Sequence, residues 1–327
     1  MPAPFQPDRL PGSTQNRFRR MCRHTWQNRT LLLMFLPIAA FYLIFSYAPM
    51  FNTRTGGILM AFFKSRSNKP FSEWSFVGWH YFQMLFSKPD FWNAMKNTLV
   101  LSFLRLLIEF PIPIILALLL NEVQHRGTKR IYQTVFTFPH FLSWVLVVSV
   151  MKDLLLIDGG VLNGFRQMLG LAPFNYLANN SILANYAMLI FSSILKGMGW
   201  SAIIYLSTIS GIDPTLYEAA AIDGASRWHR VRWITWPSLK PTVTVLLILA
   251  VGGILDGSFD QIFNLTNGVN RSIIETIDVY IYRYAFQQSM NPSFSAASGL
   301  FKSVISFSLL ITAHLVTKRL NDGESVF

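Results

Sequence analysis

Charged residues are scarce in this chain. Asp, Glu, Lys and Arg make up only 13% of its 327 residues, whereas about a quarter of an ordinary soluble protein is charged. Hydrophobic residues make up 52%. This composition excludes an ordinary soluble domain and predicts an integral membrane protein.

The chain also has almost no cysteine, and it lacks several common catalytic sequence motifs. Cys22 is the single cysteine, so an internal disulfide is excluded. The chain contains no G-x-x-x-x-G-K-[ST] phosphate loop, no H-E-x-x-H pair and no G-x-S-x-G elbow. We therefore predict no catalytic residue, no metal ligand and no cofactor in this chain, and we do not expect it to be an enzyme.

Six apolar stretches are long enough to cross a bilayer, which takes about 20 residues in a helix. They cover approximately residues 31–51, 98–120, 131–151, 182–209, 242–265 and 296–316. The predicted fold is therefore an all-α integral membrane domain with six transmembrane helices over 31–316. A basic tail precedes it over 1–30, and a short tail follows over 317–327.

Lysine and arginine indicate how the predicted spans are oriented. With both termini inside, the inner segments hold 15 of these residues in 81 positions, and the outer segments hold 10 in 117. Cytoplasmic segments are enriched in lysine and arginine. Both termini and the segment between spans four and five are therefore predicted to be cytoplasmic. The same enrichment explains the net charge of +12, and we expect no nucleic-acid partner.

The segment 212–241, between spans four and five, is helix-prone and basic. Asp213 followed by Pro214 is a helix-start signal, and Gly224 allows a tight reversal. A second short helix is expected from Ser226, and two prolines are expected to stop it before span five, Pro237 and Pro241. These features predict a helix-turn-helix along the membrane face with a short projecting arm. Its simplest alternative is a surface hairpin that only joins two spans.

One outer segment carries a helical repeat of isoleucine. Ile273, Ile277 and Ile281 recur every fourth residue, which is typical of an amphipathic helix. We therefore predict an amphipathic outer helix between spans five and six.

The segment between spans four and five carries a family resemblance. Its pattern is Glu-Ala-Ala, three residues, Gly, nine residues, then Ile-x-Leu-Pro, and the matching positions are Glu218, Ala219, Ala220, Gly224, Ile234 and Pro237. Trp236 stands where leucine is usual. This pattern resembles the membrane-spanning subunits of binding-protein-dependent ABC importers. The stretches FVGWHYFQMLFSKPDFWNAMKNTL, FDQIFNLTNG and SAASGLFKSVISF are similar to regions of permeases that import oligosaccharides and polysaccharide fragments.

The resemblance implies a transport subunit in a bacterial inner membrane. The coupling residues it implies are Glu218, Ala219, Ala220, Asp223, Gly224 and Ala225. They would dock on a separate cytoplasmic ATPase dimer, which would carry ATP and Mg²⁺. The other implied partners are a second permease chain, expected to be a different one, an extracytoplasmic solute-binding protein, the oligosaccharide and membrane lipid.

Polar residues inside the spans are candidates for the sugar path, because burying such groups in lipid is expensive. Asp256, Asp260 and Asn264 share one face of the predicted span five. The predicted path residues are Lys196, Trp200, Asp260, Gln261 and Asn264. The alternative is a structural ion pair, such as Lys196 with an aspartate or Arg105 with Glu109.

Two other functions remain open. The chain could serve an ABC importer of a non-sugar solute, or it could be a secondary transporter or membrane enzyme that works without an ATPase. The basic residues of the outer side and the spans are compatible with an acidic oligosaccharide such as an alginate fragment. The sequence alone does not identify the sugar.

Overall fold

A computed structural model describes residues 29–52, 57–65, 69–253, 255, 258–288 and 291–320. The chain divides into two compact units, Met1–Phe76 and Val77–Phe327. Most of both predicted tails and the candidate path residue Asp256 lie outside the described residues.

The first unit contains one long apolar helix and a small hairpin. Helix α1, Arg29–Tyr42, continues through a π turn at Leu43–Tyr47 and ends with Ala48–Met50. Strands β1, Phe63–Lys64, and β2, Ser75–Phe76, pair antiparallel, with Phe63 opposite Phe76. The large apolar side chains described in α1 are exposed, which suits a helix that faces lipid.

The second unit consists of helices joined by short turns. Its helices, in chain order, are α2 His80–Phe86, α3 Pro89–Leu104, α4 Pro111–Asn121, α5 Arg126–Thr137, α6 Trp144–Leu155, α7 Val161–Met168, α8 Ile182–Ser210, α9 Pro214–Ile222, α10 Arg227–Arg230, α11 Trp236–Gly252, α12 Phe259–Leu265, α13 Arg271–Ile274, α14 Ile277–Tyr282 and α15 Pro292–Leu320.

The candidate spans agree with the sequence prediction in number if one bent pair counts as a single span. In the part of the chain that is described, five helices are long and apolar enough to cross a membrane, and a sixth span can be formed by a bent pair. The five are Leu33–Met50, Pro89–Asn121, Ile182–Ser210, Arg227–Gly252 and Pro292–Thr312. The chain is therefore a mostly helical protein with several membrane spans, and the count of six and the orientation remain predictions.

Three π turns precede prolines at the same spacing. They cover Leu43–Tyr47, Arg105–Glu109 and Val231–Thr235, and each ends two residues before a proline, at Pro49, Pro111 and Pro237. Proline cannot donate a backbone hydrogen bond, and its ring clashes with the carbonyl four residues earlier. A π turn adds one residue to the helical turn, so it gives the ring space without ending the helix.

This accommodation overturns one prediction. Pro237 and Pro241 do not stop the helix that starts after Ser226, because Arg227–Gly252 runs as one helix of 26 residues. The π turn at Val231–Thr235 accommodates Pro237. Pro241 lies inside α11 and removes one backbone donor without breaking it. The second part of the helix-turn-helix is therefore the beginning of span five.

The second half of the predicted span five also differs from the prediction. Here the structure interrupts a helix that the sequence predicts to be continuous. The predicted span 242–265 is not one helix, because α11 ends at Gly252 and α12 begins at Phe259. Ser258, which precedes α12, has a left-handed backbone with φ of 30°. Two consecutive glycines end α11, and glycine is a poor helix former. Asp260 and Asn264 therefore lie on a separate short helix.

The predicted third span is sharply bent. Helix Arg126–Phe141 and helix Trp144–Leu155 meet at 101°, with Pro139 in the last turn before the bend. Ser143 accepts a hydrogen bond from the Leu146 amide, 3.3 Å away, and so caps the second helix. A proline at 139 and a capping serine at 143, four residues later, explain why the apolar run does not form one straight helix.

Two apolar clusters at the two ends of α8 hold the second unit together. One joins the first half of α8 to α3, α6 and α12–α14 through residues that include Leu101, Leu189 and Ile262. The other joins the second half to α4 and α11 through residues that include Ala117, Tyr205 and Leu239. Helix α8 therefore takes part in both of these clusters of the second unit.

The predicted amphipathic outer helix is also interrupted. Helix α13 ends at Ile274 and α14 begins at Ile277. In the break, the Glu275 carboxylate is buried and accepts two hydrogen bonds of 2.7 Å from the Arg283 guanidinium. The Ile277 amide donates to Thr98 Oγ1 at 2.9 Å. The isoleucines of the repeat do face the protein. The predicted helix is nevertheless interrupted, because Glu275 pairs with Arg283 and the Ile277 amide bonds to Thr98 of α3.

Candidate functional site

The first candidate site is the elbow, which we define as residues 213–226. Its helix α9 starts as predicted, since the Asp213 carboxylate accepts a hydrogen bond of 3.0 Å from the Thr215 amide. This amide lowers the pKa of the exposed Asp213 carboxyl, because the hydrogen bond favours the charged form. Ser226 then caps the next helix through the His229 amide at 3.3 Å.

The reversal at the tip of the elbow is a regular helix-ending motif. The Ala225 amide donates to the Ala220 carbonyl at 2.8 Å, and the Gly224 amide donates to the Ala221 carbonyl at 3.1 Å. Gly224 has φ of +74°, a left-handed conformation that glycine adopts without steric cost. The pattern of bonds fixes the shape of the arm independently of any partner.

The coupling residues predicted from the sequence lie together on this arm and are largely open to contact. Glu218, Ala219, Asp223 and Gly224 are exposed, and Ala220 and Ala225 are half-buried. Ile222, beside them, is 87% exposed. The coupling residues and Ile222 are therefore accessible at the surface of this arm.

A cleft of about 430 Å³ lies between α3, α4, α8 and α11. Among its lining residues are a charged pair and three serines, Arg105, Glu109, Ser102, Ser193 and Ser201. Arg105 Nε lies 3.4 Å from Glu109 Oε1, and Ser193 Oγ donates to Glu109 Oε2 at 2.8 Å. The rest of the wall is mainly apolar. The cleft thus places one cation, one anion and several hydroxyls on an apolar surface between spans.

The sequence predicts Arg105 and Glu109 only as a structural ion pair. They do form a pair, and they also line the cleft. The sequence signal that could have placed this pair at a ligand site is two opposite charges four residues apart inside an apolar span. The serines of α8 gave no comparable signal, because a serine side chain in a membrane helix commonly bonds to a carbonyl of the preceding turn.

The predicted path residues of span four lie at the bend in span three. Lys196 Nζ donates to the carbonyls of His140 and Leu142 at 2.7 and 2.6 Å, rather than to an aspartate. The Trp200 ring stacks flat on the His140 ring, with centroids 4.6 Å apart. Both residues therefore hold the bend, and neither lines the cleft.

The predicted path residues of α12 have different environments. Gln261 is fully buried: it accepts from Arg105 Nη2 at 2.6 Å, and it donates to the Leu189 carbonyl and to Ser192 Oγ, both at 2.7 Å. Asp260 is exposed, and Asn264 donates to the Asp260 carbonyl at 2.7 Å. Gln261 thus supports Arg105 from behind the cleft.

No metal centre is formed within the described ranges, where no three His, Cys, Asp or Glu side chains converge. The side chains described at both candidate sites form hydrogen bonds and an ion pair.

Comparison with known proteins gives one consistent result. The family described as binding-protein-dependent transport system inner membrane component matches residues 109–322. The polygalacturonan/rhamnogalacturonan transport system permease protein YteP of Bacillus subtilis (strain 168) is 40% identical over 301 residues, which are 90% of each chain.

Solved structures agree with the sequence relatives. A chain of a bacterial ABC transporter involved in the import of the acidic polysaccharide alginate is 34% identical, with a TM-score of 0.80 over 92% of this chain and 99% of that one. A bacterial alginate ABC transporter in complex with an alginate pentasaccharide-bound periplasmic protein matches equally well, at 34% identity and a TM-score of 0.80, over 92% of this chain and 98% of that one.

Proposed function

Because the chain belongs to the family of binding-protein-dependent transport system inner membrane components, we propose that it is a permease subunit of an ATP-driven importer of oligosaccharides. The observation that carries this proposal is the elbow, a rigid exposed arm with the residue spacing of the family's coupling loop. The chain would contribute its spans to the sugar path, and a separate ATPase would supply the energy.

The elbow is the proposed contact with a cytoplasmic ATPase dimer. Its small residues present a slim face, and two exposed acidic residues lie on it, Glu218 within α9 and Asp223 at the tip. A groove on the ATPase with a cation at its rim would fit this surface. Trp236, the departure from the usual pattern, is 38% exposed and lies outside the arm, at the start of α11.

The cleft between the spans is the proposed sugar-facing surface of this subunit. It combines hydroxyl groups and a balanced charge pair with apolar walls, which suits a ligand with many hydroxyls and an apolar ring face. One chain provides only part of such a path, so a second permease, of different sequence, would complete it. A solute-binding protein outside the membrane would deliver the sugar.

The proposed substrate is an acidic oligosaccharide that contains uronate residues. Both named relatives support this choice, since one is a polygalacturonan/rhamnogalacturonan permease and the other belongs to an importer of alginate. Arg105 lines the cleft and is held in place by Glu109, Ser258 and Gln261. A guanidinium fixed in this way has further N–H donors that can pair with a carboxylate.

Two measurements test the proposal. Affinity purification of the tagged chain from its native host should bring down an ATPase, a second permease and a binding protein; recovery of the chain without an ATPase would refute it. Uptake of galacturonate or alginate oligosaccharides should exceed uptake of neutral oligosaccharides of equal length. Equal or better uptake of the neutral sugars would refute the substrate class but not the importer.

A variant links the elbow to the same activity. Glu218→Ala should weaken co-purification of the ATPase, and Thr215→Ala, three residues earlier in α9 and farther from the tip, is the matched control. If both variants retain the ATPase and transport normally, the proposed docking role of the elbow is wrong.

A further inference from the structure

Helix α9 of the elbow is tied to the helix of span five by a single side-chain hydrogen bond. Tyr217, in α9, places its hydroxyl 2.8 Å from Thr235 Oγ1. Within the described ranges, no other hydrogen bond joins α9 to the helix Arg227–Gly252. Thr235 is 1% exposed, so water does not readily replace Tyr217 as its partner.

The bond attaches at the least regular turn of that helix. Thr235 is the last residue of the π turn Val231–Thr235, two residues before Pro237. Thr235 Oγ1 also lies 3.5 Å from the Arg230 carbonyl inside the turn. Because a π turn and a following proline both depart from the regular hydrogen-bond ladder, this turn is where span five yields most easily to a force.

The other connections around the elbow are weaker. Arg227 Nε lies 3.9 Å from Glu122 Oε2, and the two side chains are 67% and 39% exposed. Exposed pairs of this kind contribute little. A cleft of about 470 Å³ separates α9 from the ends of α4 and α8 and from α10, so close packing does not fix the arm on that side.

We infer that the Tyr217–Thr235 pair transmits movement of the elbow to span five, which makes both residues positioning residues for coupling. The inference rests on the proposed function and adds the route by which an ATPase acts on the sugar path. Without the hydrogen bond between these two residues, the elbow can tilt into the cleft of about 470 Å³ beside α9, while span five stays in place. ATP hydrolysis then continues, but fewer sugar molecules cross for each ATP.

The test uses the complete complex in proteoliposomes, with its binding protein. The sugar is whichever of galacturonate, alginate and neutral oligosaccharides the wild-type complex imports best. Tyr217→Phe and Thr235→Val each remove one hydroxyl with little change in shape. Each should lower the number of sugars imported per ATP by about five-fold, the factor that corresponds to loss of one neutral hydrogen bond.

Three controls separate coupling from stability. Ser238→Ala removes a hydroxyl that bonds only to Ile234 in its own helix, and it should leave the ratio unchanged. Thr235→Ser keeps the hydroxyl and should also behave as wild type. The double variant should be no worse than either single one, since residues that act as a pair are not additive.

The outcomes are distinct. An unchanged ratio of sugar to ATP in Tyr217→Phe and Thr235→Val overturns the inference while leaving the importer intact. Loss of ATPase binding or of thermal stability in both variants also overturns it, because the pair would then serve assembly or folding. A wild-type complex that lacks an ATPase would instead refute the proposed function.

Discussion

Replacing Gln261 by leucine distinguishes the two roles that this residue can have. The sequence places it in the sugar path, whereas its contacts make it a buried support for Arg105. It is 0% exposed and makes three hydrogen bonds of 2.6 to 2.7 Å, to Arg105, Leu189 and Ser192. Leucine has a similar size but can make none of them.

The expected loss of stability follows from these contacts. A hydrogen bond to a charged group contributes about 1.5–3 kcal/mol, and a neutral one contributes about 0.5–1.5 kcal/mol. One bond of the first kind and two of the second give about 2.5–6 kcal/mol for Gln261→Leu. For a domain of this size, such a change lowers Tm by on the order of 10 °C.

Thermal unfolding of the purified chain in lipid nanodiscs, followed by tryptophan fluorescence, measures this shift. Asn264→Leu is the control, because Asn264 lies on the same short helix and donates only to the Asp260 carbonyl in that helix. We expect the control to unfold within a few degrees of wild type. If Gln261→Leu does the same and nevertheless abolishes uptake, Gln261 contacts the sugar and the reasoning from burial is refuted.

Three other predictions concern the elbow and the bend. Gly224→Val should lower the sugar imported per ATP, because a left-handed backbone costs a branched residue about 1–2 kcal/mol; Gly211→Ala, where φ is negative, should not. The lowered pKa of Asp213 means that its cap is fully present above the unfolded carboxyl pKa of about 3.9 and is lost as the pH falls through the folded pKa. Hydrogen exchange of α9, corrected for intrinsic rates, should therefore show constant protection from neutral pH to about pH 5 and loss only in stronger acid, whereas Asp213→Asn should show no such dependence. Lys196→Met should destabilise the chain by about 2–4 kcal/mol in thermal unfolding, since two carbonyls at the bend lose a charged donor; an unchanged Tm would contradict the role assigned to Lys196.

The elbow could be predicted from sequence because local chemistry determines it. An aspartate before a proline, a glycine at the reversal and a serine at the next cap each act over three or four residues. The structure has all three at the predicted positions. The approximate positions of the long spans were predictable for a related reason, since length and hydrophobicity suffice.

The errors have a common physical cause, which is that distant or cumulative contacts outweigh local signals. Pro237 predicts the end of a helix, but the π turn that ends two residues before it accommodates the proline ring within a continuous helix. The break between α13 and α14 depends on a buried pair of Glu275 with Arg283 and on a bond to Thr98. The charged donor at the bend in span three comes from Lys196, more than fifty residues away in sequence. No short window of sequence contains Thr98 together with Ile277, or Lys196 together with His140.

The continuity of Arg227–Gly252 has a geometric consequence. At 1.5 Å per residue, a helix of 26 residues is about 39 Å long. A tilt of about 10° at its elbow end displaces the opposite end by roughly 7 Å, more than the width of a sugar ring. Helix α12 does not share this swing, because Gln261 ties it to span four. Under the proposed function, a small tilt at the elbow end of this helix would thus become a displacement at its opposite end large enough to change the width of a sugar passage.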